Sequence, residues 1–433
     1  MAKRTRKRAA AHTAAATTSG VDEMLLAALE RGGESFETGR FLVTFKEGAV
    51  KEGVQALSAR GLRSADARDF ASQAVQDVGD ADSLVLPEIG VALVAAAPAA
   101  ARGLSVQDEI AADSAVQSVD PEYFVFATGA ADYLRGFNRA AEVIAKDLGG
   151  TADLRMPEFE EEEQVQVLGA TWGLVRCKVP PSPRSGAGIK VAVLDTGMDL
   201  GHPDFVGRTV VSRTFVGQPV QDLHNHGTHC IGTACGPQAP AGSTPRYGIG
   251  FKTQIFVGKV LSNSGSGTQA GILAGMNWAI ANRCAVISMS LGGPIPPQPS
   301  YTAAGQAALN NGCLIIAAAG NDAANTGAPA NSPTIMSVAS LDPNLRPSNF
   351  SNFGKIEIAA PGRDVFSSVP RPTRYGIMSG TSMACPHVAG CAALWAETSP
   401  GLRGMSLWNR LLATARPLSF PPSRVGRGLV QAP

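Results

Sequence analysis

IKVAVLD, residues 189–195, is an apolar run interrupted by Lys190 alone, and it ends on a carboxylate. It does not alternate apolar with polar positions, so it reads as a strand covered on both faces. TQIFVGKVL (253–261), CAVISMSL (284–291) and CLIIAAAGN (313–321) have the same character. Helical segments such as QAGILAGMNWAIANR (269–283) fall between them. Strands alternating with helices build a mostly parallel sheet with helices on both faces, so the second half of the chain is an α/β domain.

Outward from this core, composition divides the rest. Residues 1–37 open with MAKRTRKR and an Ala/Thr tract, which predicts a disordered basic tail. Residues 38–127 alternate strand GRFLVTFKEG, amphipathic VKEGVQALSARG, strand VALVAAA, helical SVQDEIAADSAV and extended VQSVDPEYFVFA, which suits a small α+β sandwich. Residues 128–165 hold the acidic run EFEEEEQ and read as a flexible linker. The α/β domain then spans 166–418, with a C-terminal tail over 419–433.

With 37 basic and 36 acidic residues, no polyanionic partner is implied, and the basic start is a solvated tail rather than a nucleic-acid arm. The longest apolar run, VALVAAAPAAA (91–101), falls short of the roughly 20 residues that cross a bilayer, so no membrane span is expected. The Ala/Thr tract lacks the apolar core of a secretory signal, so the expectation is a cytoplasmic protein or one exported by a non-standard route. Seven cysteines, none before Cys177, leave at least one thiol unpaired.

In open α/β sheets, reactive groups gather where strands end and helices begin. Asp195 ends the first run, His226 stands in HNHGTH just before a helical segment, Asn321 follows the last run, and Ser382 opens SGTSMACPHVAGCAALW (379–395). A serine hydroxyl becomes a nucleophile when an imidazole takes its proton, and that imidazole needs a carboxylate to fix its tautomer. Asp195, His226 and Ser382 supply one of each. The oxyanion formed by attack calls for donors, for which Asn321 and the N–H of Ser382 are candidates.

LDTGMDLGHPDF, HGTHCIGT, AAAGN and GTSMACPHVAG, in this order, resemble the Asp, His, oxyanion and Ser motifs of the subtilisin-like serine proteases. YGIGFKTQIFVGKVL, with Cys230 after His229, is most similar to the proteinase K branch. The resemblance implies a subtilisin-like three-layer fold and peptide-bond hydrolysis through an acyl-enzyme, with polypeptide substrates and no cofactor in the chemistry. It implies that substrate lies as an added strand between Ser290, Leu291, Gly292 and Gly265, Ser266, Gly267. Ala318, Ala319 and Gly320 then wall an apolar pocket for the residue before the cut. Residues 38–127 resemble the family's inhibitory propeptide, of ferredoxin-like fold, which implies a self-cleaving zymogen held by its own pro-segment. A monomer is expected. The resemblance further implies a structural calcium held by the carbonyls of Pro333 and Ile335 and by Glu357, which stands where the family has Asp.

HNHGTH also has a three-histidine spacing that suggests zinc. The di-zinc hydrolase pattern, however, resembles H-x-H-x-D-H, and Thr228 stands in place of the acid. His226 is therefore read as the base, His229 as a helix neighbour, His224 as a loop residue and His387 as a packed one. Cys230 is read as a buried small hydrophobe. The missing last glycine of G-x-S-x-G, where Ala384 stands, argues against a lipase-type esterase. A catalytically dead binding protein on the same fold would need one of the four groups broken.

Overall fold

The computed structural model describes residues 20–30, 36–69, 81–95, 109–127 and 169–433. The chain opens with helix α1 (Val21–Glu30), then β1 (Glu37–Phe45), α2 (Val50–Ala59), β2 (Ser64–Asp66), β3 (Ser83–Leu86), β4 (Val91–Ala95) and β5 (Val116–Phe126). β1 lies between β4 and β5, antiparallel to both, and β3 pairs with β4. Strands and α2 enclose a small apolar core that includes Val43, Phe45, Leu57 and Val94. α1 corrects the expectation of a disordered tail over 1–37. VDEMLLAALE places Val21 and Leu25 one turn apart, and both are buried against Phe124 and Phe126. Residues 1–19 and 31–35 of that tail, the linker 128–165 and residues 105–108 of SVQDEIAADSAV lie outside the described residues; in the rest of that last segment, 109–111 are helical and 112–115 turn into β5.

The larger unit contains β6 (Lys190–Asp195), β7 (Val210–Thr214), α3 (His226–Cys235), β8 (Gln254–Lys259), β9 (Ser266–Thr268), α4 (Gln269–Ala281), β10 (Val286–Met289), α5 (Pro299–Asn310), β11 (Leu314–Ala318), β12 (Met336–Leu341), β13 (Ile358–Pro361) and α6 (Thr381–Thr398). Seven strands run in the order β13-β12-β11-β10-β6-β8-β7, and every neighbouring pair is parallel. Successive residues of a strand face opposite sides. Val191 and Val193 accordingly join the core beneath α3 and α6, whereas Ala192 and Leu194 join the core beneath α4 and α5. Both faces are apolar because both are covered, and that is the origin of the unalternating runs.

The two units are joined through the backbone. β5 continues antiparallel onto β9, pairing Phe124 with Thr268, Val125 with Gly267 and Phe126 with Ser266. Buried Glu122 accepts from the Ala270 N–H at the start of α4 (3.0 Å) and pairs with Arg40 at 2.6 Å. A carboxylate is favoured there because the first amides of a helix have no acceptor within it.

The end of the chain also differs from expectation. Leu429 and Val430 are buried, the Val430 N–H donates to Ala359 O at 3.0 Å, and the Ala432 N–H donates to Cys177 O at 2.8 Å. The boundary drawn at 418 is therefore too early, and the last residues extend the core.

Candidate active site

β6 delivers Asp195 and α3 begins at His226, so a strand end and a helix start face each other. Their approach explains two glycines in the motifs. Gly197 has φ +107°, and a Cβ there would collide with Val220 O; a Cβ on Gly227 would collide with Gly197 O. His226 Nδ1 lies 2.8 Å from Asp195 Oδ1, which also accepts from the Thr196 N–H at 2.7 Å. With Nδ1–H donating to the carboxylate, Nε2 is the free basic atom. It is buried without a hydrogen-bond partner. Burial alone would depress the imidazole's pKa; the Asp195 carboxylate outweighs it and holds the value well above 6.5.

Asp222 was not singled out by sequence reasoning. Fully buried, it accepts from Thr196 Oγ1 (3.0 Å), the His224 and Asn225 amides (2.9 and 3.1 Å) and the amide and hydroxyl of Thr228 (2.9 and 2.7 Å). It thus fixes the turn that aims His226. The available signal was an Asp placed two to three residues before the backbone amides it caps.

Ser382 is the second residue of α6, so its own N–H is among those without an intrahelical acceptor. Its Oγ lies 3.4 Å from Ala127 O and 3.4 Å from Ser290 O, and no hydrogen bond joins it to His226 Nε2 in this state. Cys230 ties the two helices, its Sγ lying 4.0 Å from His226 Nδ1 and 3.5 Å from Ser382 O. Asn321 Oδ1 accepts from both the N–H and the hydroxyl of Thr381 at 2.8 Å. Because the N–H can only donate, the amide oxygen must face it, which turns the NH₂ group away and leaves it available as a donor.

The end of β5 lies between two edges. Phe126 exchanges N–H···O bonds of 3.1 Å with Gly292, and the Ala127 N–H donates to Gly265 O at 2.9 Å. Ser290 Oγ donates to Ser382 O at 2.7 Å. Beside Ala127 opens a narrow cleft whose walls include Leu291, Gly292, Ala318, Ala319, Gly320 and Asn321.

The histidines do not converge. His229 Nε2 is bonded to Val365 O at 2.9 Å and His387 Nδ1 to Met383 O at 2.8 Å; burial depresses their pKa values to about 3 and about 4. Among the described residues, the only group of three metal-type ligands is Asp195, His226 and Cys230. All seven cysteines are buried and free.

The calcium expectation is corrected. Lys355 Nζ donates to Ile335 O, to Ala330 O (3.0 Å) and to Glu357 Oε2 (2.8 Å), and Glu357 Oε2 also accepts from the Ser337 N–H (2.6 Å). An ammonium occupies the place where Ile335, Glu357 and the neighbouring Pro333 would have met a metal. Calcium needs oxygens at about 2.3–2.6 Å and cannot share that space. Replacing Lys355 by Ala should destabilise the fold by about 1–3 kcal/mol, because the carboxylate and carbonyls lose their donor. In calorimetry, added calcium should raise the melting temperature of the variant and leave that of the parent unchanged.

A three-layer α/β fold with carboxylate, imidazole and hydroxyl at one end of its sheet defines a serine hydrolase. The subtilase family model, Peptidase S8, matches residues 186–428. Over 283 residues the chain is 38% identical to an alkaline protease of Alkalihalobacillus alcalophilus, covering 63% of this chain and 72% of that one. It is 38% identical over 268 residues to subtilisin Savinase of Lederbergia lenta (60% and 96%) and 39% identical over 266 residues to subtilisin DY of Bacillus licheniformis (58% and 92%). The chain belongs to the subtilase family and is a serine endopeptidase. No helix among the described residues is long and apolar enough to cross a membrane.

Proposed function

We propose that this subtilase is made as a self-processed zymogen whose residues 38–127 fill its own substrate groove. The supporting observation is that β5 lies between β9 and Gly292 as a substrate strand would, with Ala127 O 3.4 Å from Ser382 Oγ. Strand addition of this kind gives affinity through the backbone with little sequence choice. Ser382 attacks the peptide carbonyl, His226 Nε2 takes the proton and returns it to the leaving amine, and Asp195 holds the imidazole in place. Asn321 Nδ2 and the Ser382 N–H stabilise the oxyanion, and water then releases the acyl group. The Ser382 hydroxyl must rotate from its present acceptors to reach His226. No metal enters the chemistry, and the unit works as a monomer.

The cut falls within two bonds of Ala127, because that is the end of the strand next to the hydroxyl. Incubation of the purified full chain should yield a fragment beginning at Thr128 or Gly129, read by N-terminal sequencing. A mature end elsewhere in the linker sinks the self-processing assignment. The cleft walls of Leu291, Ala318 and Ala319 favour an uncharged, apolar residue before the cut. Within the family, Cys230 following His229 supports placing the chain with the proteinase K branch. The open peptide-length groove favours protein over small esters, which comparison of casein with a nitrophenyl ester would test.

A further inference from the structure

The segment of chain between Leu261 and Gly267 carries three serines whose hydroxyls converge on one carboxylate oxygen. Asp22 Oδ1, at the start of α1, accepts from Ser262 Oγ at 2.8 Å, Ser264 Oγ at 2.5 Å and Ser266 Oγ at 2.5 Å. The three hydroxyls lie 2.7 to 3.2 Å from one another. Ser262 and Ser266 are fully buried. Behind them stands the ammonium of Lys259, itself fully buried and bonded to Thr196 O and, at 2.8 Å, to Asn263 Oδ1. Asp22 is one of the carboxylates that Lys259 faces, with Asp222 and Asp195. Each hydroxyl has one proton to give, and a carboxylate oxygen is the acceptor best matched to several such donors near a buried cation.

The site sits on the groove. Ser266 belongs to β9, and its cross-strand partner is Phe126 of the strand that occupies the groove. Paired residues of an antiparallel ladder project their side chains to the same face with Cβ atoms about 5 Å apart. A side chain in the Phe126 position of a bound peptide therefore emerges beside the serine cluster, on the face that α1 now covers.

We infer that Ser262, Ser264 and Ser266 form a carboxylate-binding subsite that Asp22 fills in the closed chain and that an acidic substrate side chain, at the position of Phe126, fills in the open groove. This rests on the groove reading above. It predicts a protease with a preference for Asp or Glu two or three residues before the cut, alongside an uncharged residue at the cut itself.

The test uses the active enzyme that the full chain yields and fluorogenic peptides varied at the second and third residues before the cut. kcat/KM for Asp or Glu at one of these positions should exceed that for Asn or Gln by about tenfold, the scale of charge-assisted hydrogen bonds. Ser264→Ala should shrink that ratio. Equal rates for the acid and amide peptides, or a preference for Lys or Arg, overturn the inference while leaving the protease reading intact. If no peptide is cut, the protease reading fails first, and the subsite is tested on the intact chain. Asp22→Asn should then lower amide-exchange protection over residues 21–30, and unchanged protection overturns it.

Discussion

Ser382→Ala is expected to abolish casein hydrolysis and to leave the full-length chain uncut. On the scale known for subtilisin, a member of this family, loss of the nucleophile costs about 10⁶ in kcat. Intact-mass measurement after prolonged incubation checks the second half of the prediction, which is the more informative. The variant removes a single oxygen whose present contacts are two at 3.4 Å, so the fold should stay intact, and any uncut chain reports chemistry rather than collapse. Appearance of a fragment starting near Thr128 in the pure variant would mean that another group, or another protein, makes the cut.

Asp195→Asn should reduce kcat by about 10⁴, the cost of a histidine left in the wrong tautomer. It should also move the acid side of the pH profile. His226 acts as a base only when neutral, so the rate falls as pH drops through its pKa. Burial pushes that pKa down, but the Asp195 charge more than compensates and holds it well above 6.5. The parent enzyme should therefore lose activity already on the acid side of neutrality, at a higher pH than an ordinary histidine would dictate. In Asp195→Asn the raising charge is gone, so the acid limb of kcat/KM should shift to lower pH. A limb that stays in place would mean that a different group governs it.

The groups proposed as catalytic were legible in the sequence because the chemistry asked of them constrains their neighbours. Gly197 and Gly227 stand where any Cβ would collide with backbone, and Ser382 is followed by the small residues that let α6 run through the core. The parallel sheet was legible for a similar reason, since two covered faces leave no polar alternation. Other features were hidden because they depend on distant partners. α1 is ten residues long and gains its place from distant partners, Phe124, Phe126, Val216 and the serines around 264, so on its own it resembled the tail before it. Asp222 reads in the sequence as an ordinary loop acid, because its five donors come together only in the folded turn. The calcium expectation came from resemblance alone, and the residue that overturns it, Lys355, stands two positions from Glu357, where spacing gave no hint that its side chain folds back onto Ile335.

The pairing of β5 with β9 has one more consequence. While the leader remains part of the same molecule, it visits the groove at an effective concentration on the order of millimolar, whatever the dilution of the protein. On the zymogen reading proposed above, cleavage would turn that encounter into an ordinary bimolecular one. From then on, dilution alone should release the enzyme, and crowded stocks should stay dormant longer than sparse ones.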